Sequence, residues 1–313
     1  MDPIIEPIPT ELLEKELTPD KFVRKTNYGN NEIYAFTYHN APNLTKEVGR
    51  LRELTFRLAG GGTGKSIDLD KFDMQEEPYY QLIVWSPEER IVLGGYRYIV
   101  CNKAKRDEDG VLQLATYRLF HFSDKFIQEY LPYTIELGRS FVHPDYQSSS
   151  STRKGIFALD NLWDGLGALV VEYPETRYFF GKVTMYPHFN TEARNMILYF
   201  LQKQFSDDEN LMELIEPMEL GIDYKAYDEL FTGSTYDENK KILSQNVRKL
   251  GENIPPLINA YMNLSPSMKT FGTSFNKYFG GVEETAIMIK IEDIYPSKIE
   301  RHVNSYIQEK KSR

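Results

Sequence analysis

A single cysteine, Cys101, stands in the 313 residues of the chain. It excludes an internal disulfide and fits a reducing compartment. No apolar run approaches the roughly 20 residues that a membrane span needs. A basic surplus is missing too: 37 Lys and Arg face 46 Asp and Glu, a net charge of −9. That balance argues against general nucleic-acid binding, which uses a positive face. The N-terminus, MDPIIEPIPTELLEKEL, is acidic and broken by prolines, and so unlike a secretion signal. No internal repeat and no long flexible linker is visible. These absences lead us to expect a cytoplasmic protein, peripheral to the inner membrane at most, and no nucleic-acid partner. What is present, 41% hydrophobic and 13% aromatic residues, can fill a substantial core.

Pro3, Pro7 and Pro9 make residues 1–30 an expected N-terminal arm with one short helix, Thr10 to Leu17. Residues 31–313 read as one α/β domain. A first strand is expected over Glu32–Tyr38. A helix capped by Asn43 or Thr45 is expected to run to Leu58. Gln81–Trp85 and Ile91–Val100 read as paired strands, with Gly94-Gly95 marking a bulge or a close backbone approach. Leu112–Leu131 is ambiguous and reads as helical near its end. Arg177–Met185 reads as a strand, Asn190 as a helix cap, and 206–250 as an acidic insertion. Gly251 is an expected C-cap. Pro255-Pro256 opens a short helix, two strands within 268–291 close the sheet, and a helix near Pro296–Lys310 ends the chain.

The stretch Thr134–Val171 organises the rest. Tyr133–Val142 has the β-branched and aromatic content of a buried strand, yet holds Glu136 and Arg139, which a core strand tolerates only with partners. His143-Pro144-Asp145 stops it. A polar loop with Ser149, Ser150 and Ser151 leads to Arg153, Lys154, Gly155 and an apolar helix. Strand, polar loop and helix N-terminus together build an anion cradle. Strand–helix–strand order predicts that Tyr133–Val142 and Arg177–Met185 are parallel neighbours through a right-handed crossover. Glu136 and Arg139 are three apart, so alternation puts them on opposite faces unless a bulge intervenes.

Ala59-Gly60-Gly61-Gly62-Thr63-Gly64-Lys65-Ser66 matches a relaxed phosphate-loop pattern. Such a loop follows a strand and opens a helix; here a helix precedes it and Ile67-Asp68-Leu69-Asp70 follows. A glycine loop without nucleotide chemistry is the expectation.

The run ELGRSFVHPDYQ, with the basic loop and helix after it, resembles the acyl-carrier-binding core of the GNAT acyltransferase superfamily. Its fuller pattern resembles the ornithine-lipid and glycine-lipid N-acyltransferases, often labelled hemolysin-like. Those are related to acyl-homoserine-lactone synthases. Arg52-x-x-x-Phe56, Asp70-x-x-Asp73, Gly95-Tyr96-Arg97 and Glu136-x-x-Arg139 resemble the ordered charged set of the lactone synthases. No tryptophan follows Phe56 before the aspartates, where that family carries one, which argues against S-adenosylmethionine as acceptor. PPLINAYMNL and PSMKTFGTSFNKYFGGVEETAIMIKIEDI resemble the closing segment of the lipid N-acyltransferases.

The resemblance implies a mixed α+β, GNAT-like fold: a central, mostly antiparallel sheet, splayed at two parallel strands and flanked by helices. It implies an N-acyltransferase of aminolipid biosynthesis. A long, 3-hydroxy acyl chain would pass from the 4'-phosphopantetheine thioester of acyl carrier protein to the amine of glycine, serine or ornithine. Acyl-CoA-dependent N-acetyl transfer, or a non-catalytic lipid- or peptide-binding module, are the alternatives. The longer, serine-rich loop favours a donor other than CoA, or no catalysis. No metal and no tightly bound cofactor is implied. Ser149, Ser150, Ser151, Arg153, Lys154 and Gly155 would meet the donor. Glu136 would take the amine proton, or else balance an arginine, with Arg97 as its expected partner. Backbone N–H groups of Phe141 and Val142 would hold the oxyanion, and His188 offers an alternative proton relay. Arg139 would stand with Glu136, Phe141, Val142 and His188 in the catalytic set, while Arg52, Phe56, Asp70, Asp73 and Arg97 complete the acceptor network, with Arg52 and Asp73 read as a structural ion pair.

Overall fold

The structure, a computed structural model, describes residues 1–147 and 155–312. Ser149, Ser150, Ser151, Arg153 and Lys154 therefore lie outside the described residues. In chain order the elements are α1 (Thr10–Glu16), β1 (Phe22–Lys25), β2 (Glu32–Phe36), α2 (Pro42–Leu58) and the single turn α3 (Lys71–Met74). There follow β3 (Tyr80–Ser86), β4 (Ile91–Val100), β5 (Phe120–Phe122), β6 (Thr134–Val142), α4 (Gly155–Glu172), β7 (Tyr178–Met185) and α5 (Thr191–Gln204). The chain ends with β8 (Met212–Leu214), α6 (Tyr224–Leu230), α7 (Tyr236–Lys249), α8 (Pro256–Met262), β9 (Lys269–Asn276), β10 (Val282–Lys290), α9 (Pro296–Ile299) and α10 (Ser305–Ser312). A π turn, Glu300–Asn304, joins the last two helices.

One sheet has the order β1-β2-β3-β4-β6-β7-β10-β9, and all its pairs are antiparallel except β6 with β7. The parallel pair holds register only at Thr134–Tyr178, Ile135–Phe179 and Glu136–Phe180, after which the strands part. The crossover through α4 agrees with the sequence. This is a GNAT-like α/β fold. One face of the sheet packs under α4 and α5, through residues such as Leu162, Leu166, Ile197 and Phe200. The other face receives α2, whose Leu44, Val48 and Leu51 meet Ile83, Trp85 and Val92.

Several local expectations are refined. The proposed arm contributes α1 and β1, and β1 pairs with β2 as the sheet's edge. α2 starts one position before Asn43: Pro42 takes the first helical turn and neither Asn43 nor Thr45 caps it. The Glu16 carboxylate accepts from the Asn43 and Leu44 N–H groups instead, at 3.1 and 2.8 Å. Sequence windows miss a cap delivered from another helix. The end of Leu112–Leu131 is a five-residue π turn, Phe126–Tyr130, after strand β5. Segment 206–250 supplies β8 to β5, and its Tyr227, Leu243 and Val247 join the main core. Asn190 caps α5 as expected, accepting from Glu192 and Ala193 N–H.

Close approaches explain some glycines. A Cβ at Gly94 would stand 2.6 Å from the Phe141 carbonyl oxygen, and one at Gly167 of α4 would collide with the His302 carbonyl oxygen. Alanine inside a helix ordinarily gains about 1 kcal/mol over glycine. At Gly167 the collision with fixed backbone reverses the sign. Gly167→Ala is expected to destabilise the fold by about 1–3 kcal/mol in urea unfolding; a stabilised variant would show that the C-terminal helix is not held against α4.

Candidate active site

Three arginines and three aspartates form a closed ring on the α2 face of the sheet. Arg52, fully buried on α2, reaches Asp73 at 2.9 Å and Asp68 at 3.2 Å. Arg97 of β4 meets Asp73 at 3.2 Å and Asp70 at 2.9 Å. Arg139 of β6 stands 2.8 Å from Asp68 and 3.8 Å from Asp70. Each charge therefore lies between two of opposite sign. The Asp70-x-x-Asp73 spacing also builds a capping box: Asp70 accepts from Phe72 N–H and Asp73 accepts from Asp70 N–H, both at 2.9 Å. Burial pushes the Asp73 carboxyl up, but the Arg52 and Arg97 guanidiniums overcome this and hold it far below the usual carboxylate range. Asp70 is lowered in the same way, against burial, chiefly by Arg97.

The ring depends on a bulge. Gly95 pairs with Phe141 and Arg97 with Gly138, so Arg139 and Ser140 together oppose Tyr96. Arg139 takes a left-handed backbone, φ +51°, which a non-glycine residue adopts only when its surroundings enforce it. The extra residue breaks the alternation and brings Arg139 to the face that carries Glu136 and Arg97. Its guanidinium lies 4.2 Å from the Phe279 ring, and Phe279 packs edge-on against Phe56 at 5.1 Å. Three buried polar atoms here, Asp68 Oδ1, Arg97 Nε and Arg139 Nε, make no hydrogen bond among the described residues.

Glu136 stands outside the ring. The expected pairing with Arg97 does not form, because Asp70 and Asp73 occupy that guanidinium. Instead Tyr79 and Thr116 donate their hydroxyls to Glu136, at 2.8 and 2.6 Å. The side chain is buried at the last paired position before β6 and β7 part. Burial pushes its carboxyl above the ordinary range, and the Thr116 and Tyr79 bonds only partly offset this.

Beyond Glu136 the parting strands enclose a crevice, lined by Leu137, Gly138, Arg139 and Ser140 of β6 and by Phe179 to Lys182 of β7. Tyr96, Leu257 and Tyr261 line it from the α4 face. Lys182, which sequence reading missed, points to the same face as Glu136 and contacts Glu284 at 2.6 Å. Asp68 was missed as well. His143 N–H donates to Leu93 O, so antiparallel alternation turns Phe141 N–H towards β4 and Val142 N–H towards the parted side. Only Val142 of the expected oxyanion pair is thus available there. His188 is exposed beyond the end of β7, stacked on Tyr186, and is not brought to Glu136, which is level with Phe180. Gly155 begins α4. Trp163 packs edge-on against Tyr261 at 5.5 Å, a core contact.

The glycine-rich loop holds no place for a phosphate. The Glu53 carboxylate accepts from Thr63 and Gly64 N–H, at 2.9 and 2.8 Å, and from the Thr63 hydroxyl at 2.7 Å. An anion from α2 therefore already fills the loop.

The chain is similar to known acyltransferases. The acetyltransferase (GNAT) domain family matches residues 51–154. Glycine N(alpha)-acyltransferase of Phocaeicola vulgatus is 53% identical over 309 residues, covering 99% of this chain and 95% of that protein. Its counterpart in Bacteroides thetaiotaomicron is 55% identical over 308 residues, covering 98% and 91%. Among solved structures, the acyl-homoserine-lactone synthase LasI is 12% identical, with a TM-score of 0.43 over 87% of this chain and 95% of that one. The N-acyl amino acid synthase FeeM from uncultured soil microbes is 10% identical, with a TM-score of 0.41 over 84% and 94%. With more than half of its residues shared along nearly its whole length, the chain belongs to the family of these glycine N(alpha)-acyltransferases and is an acyltransferase.

Proposed function

We propose that the enzyme transfers a long 3-hydroxyacyl chain from acyl carrier protein to the amine of glycine, in aminolipid synthesis. The observation that carries this reading is a buried carboxyl at the register step where a parallel strand pair ends: Glu136 opposite Phe180. The thioester lies in the crevice between β6 and β7. The amine nitrogen bonds to the carbonyl carbon, the carbon–sulfur bond breaks, and the proton that the nitrogen sheds on attack goes to the sulfur, which leaves as the thiol. Glycine is protonated at neutral pH, so its nitrogen must first lose a proton. Glu136 receives it, directly or through one water or hydroxyl. Val142 N–H serves the oxyanion. Arg153 and Lys154, with the serines before them, meet the phosphopantetheine phosphate or acidic side chains of the carrier. Exposed Phe275 and Tyr278 at the β9–β10 turn support peripheral contact with a membrane, where an acylated product would partition. No helix among the described residues is long and apolar enough to cross one.

Glu136→Gln keeps shape and removes the base. It is expected to fold normally and to lose about 10²–10⁴-fold in kcat. In the wild type, turnover falls as pH drops through the Glu136 pKa, which burial has raised. Thr116→Val removes a bond to the ionised form and should move that acid limb to higher pH. A limb unmoved by Thr116→Val, or present in Glu136→Gln, would assign the proton to another group. Asp73→Asn, by contrast, is a folding change. It leaves two buried guanidiniums short of charge and is expected to cost about 3–5 kcal/mol in urea unfolding. A loss of about 1 kcal/mol or less, as for exposed pairs, would show the ring to be dispensable. The donor is tested with one 3-hydroxyacyl chain on carrier protein and on CoA. A higher kcat/KM is expected on the carrier, and the Arg153→Glu/Lys154→Glu variant should raise its KM with an effect that shrinks in salt. Parity between donors would favour acyl-CoA.

A further inference from the structure

Lys182 helps to keep the Glu136 carboxyl ionised but takes no proton in the transfer proposed above. Its side chain is 13% exposed and lines the crevice on β7, two residues past Phe180. Its ammonium donates to Glu284 Oε2 at 2.6 Å, and the Asn276 amide donates to the same oxygen at 2.9 Å. An ammonium has three donors, and among the described residues Glu284 is the one acceptor in contact with it. A buried ammonium with donors to spare beside a crevice is a binding group awaiting an acceptor. Burial disfavours its charge most, Glu284 favours it, and Arg139, which also lines the crevice, and exposed Arg118 disfavour it further. Arg139 Nε already faces Asp68 Oδ2 at 2.8 Å, so what Arg139 offers the crevice is its charge. Glu136 faces the same side one register step back.

We infer that Lys182, braced by Glu284 and Asn276 and flanked by Arg139, receives the α-carboxylate of the amino-acid acceptor. This rests on the acyl transfer proposed above and names how the acceptor is held. An α-amino acid carries its amine two bonds from its carboxyl carbon. With the carboxylate on Lys182, the amine lies towards Glu136 and the thioester, and amines without a carboxylate are rejected. Lys182 is then a specificity-determining residue, separate from the base.

The test compares glycine with glycinamide, which keeps the amine and lacks the charge. Wild-type enzyme should prefer glycine in kcat/KM by roughly 10–100-fold, the value of a hydrogen bond to a charged group. Equal efficiency on the two amines would overturn the proposal without any variant. Lys182→Met should raise the KM for glycine by a similar factor and leave glycinamide turnover and the KM for the acyl donor near wild type. Because that change leaves Glu284 without its cation, the same ratios are measured in Lys182→Met/Glu284→Gln, which removes both charges. A variant that retains the preference for glycine, or that loses both amines equally, overturns the assignment. A wild-type enzyme that acylates no amino acid would fail the underlying function instead, and is read before any substitution is made.

Discussion

Six alternating charges hold four separate pieces of chain together. Arg52 brings α2, Arg97 brings β4, Arg139 brings β6, and the three aspartates bring the segment from 68 to 73. Removing this many charges from water is costly, and a lone ion pair seldom recovers the loss. A closed ring does better, because every ion has two counter-ions and the set is neutral. The cost is visible where it remains: Arg139 accepts a left-handed backbone, and three polar atoms lack a hydrogen bond among the described residues. Networks left partly satisfied mark places where structure serves chemistry.

The ring also fixes what it excludes. By occupying Arg97 it leaves Glu136 without a direct ion pair among the described residues; the Tyr79 and Thr116 hydroxyls hold that carboxyl, and Lys182 and Arg97 act on it only from a distance. A salt-bridged Glu136 would be acidic and a poor proton acceptor. Hydroxyl-held and buried, its carboxyl is raised instead. Two carboxylate environments thus arise within one face of one sheet: Asp73 far below the usual range, Glu136 above it. The bulge that sends Arg139 to the ring lies in the same strand that parts from β7, just past the last paired position at Glu136.

Much of this was legible in the sequence, and the gaps have physical reasons. Strand, helix and strand in order gave the parallel pair, because crossover handedness leaves few alternatives. Asp70 and Asp73 were visible through the resemblance of Asp70-x-x-Asp73 to the charged set of the lactone synthases. Asp68 was not, since in Ile67-Asp68-Leu69-Asp70 both aspartates alternate alike and only Arg139, distant in sequence, distinguishes them. Arg97 was assigned to the wrong carboxylate because order along the chain says nothing about which of several acids is nearest. Lys182 had a signal that could have been used: a lone lysine inside the apolar strand Tyr178–Met185 needs a buried partner. Glu283-Glu284 then offers two, and only strand parity, known once the register is known, selects Glu284.

The glycine-rich loop shows how composition can mislead while still marking something real. Its glycines suggest phosphate, yet Glu53 occupies the N–H groups. What they permit is contact with the far end of the chain. A Cβ at Gly280, in the turn between β9 and β10, would stand 2.8 Å from Gly61 Cα, and one at Gly61 would stand 2.9 Å from the Tyr186 ring. Two backbones touch there without side chains between them. That closeness seats the next residue inward, Phe279, on Phe56 and beneath Arg139. The closing strands therefore do more than finish the sheet. They deliver an aromatic face to the one arginine that belongs both to the ring and to the crevice, and the glycines on both sides are what let it arrive.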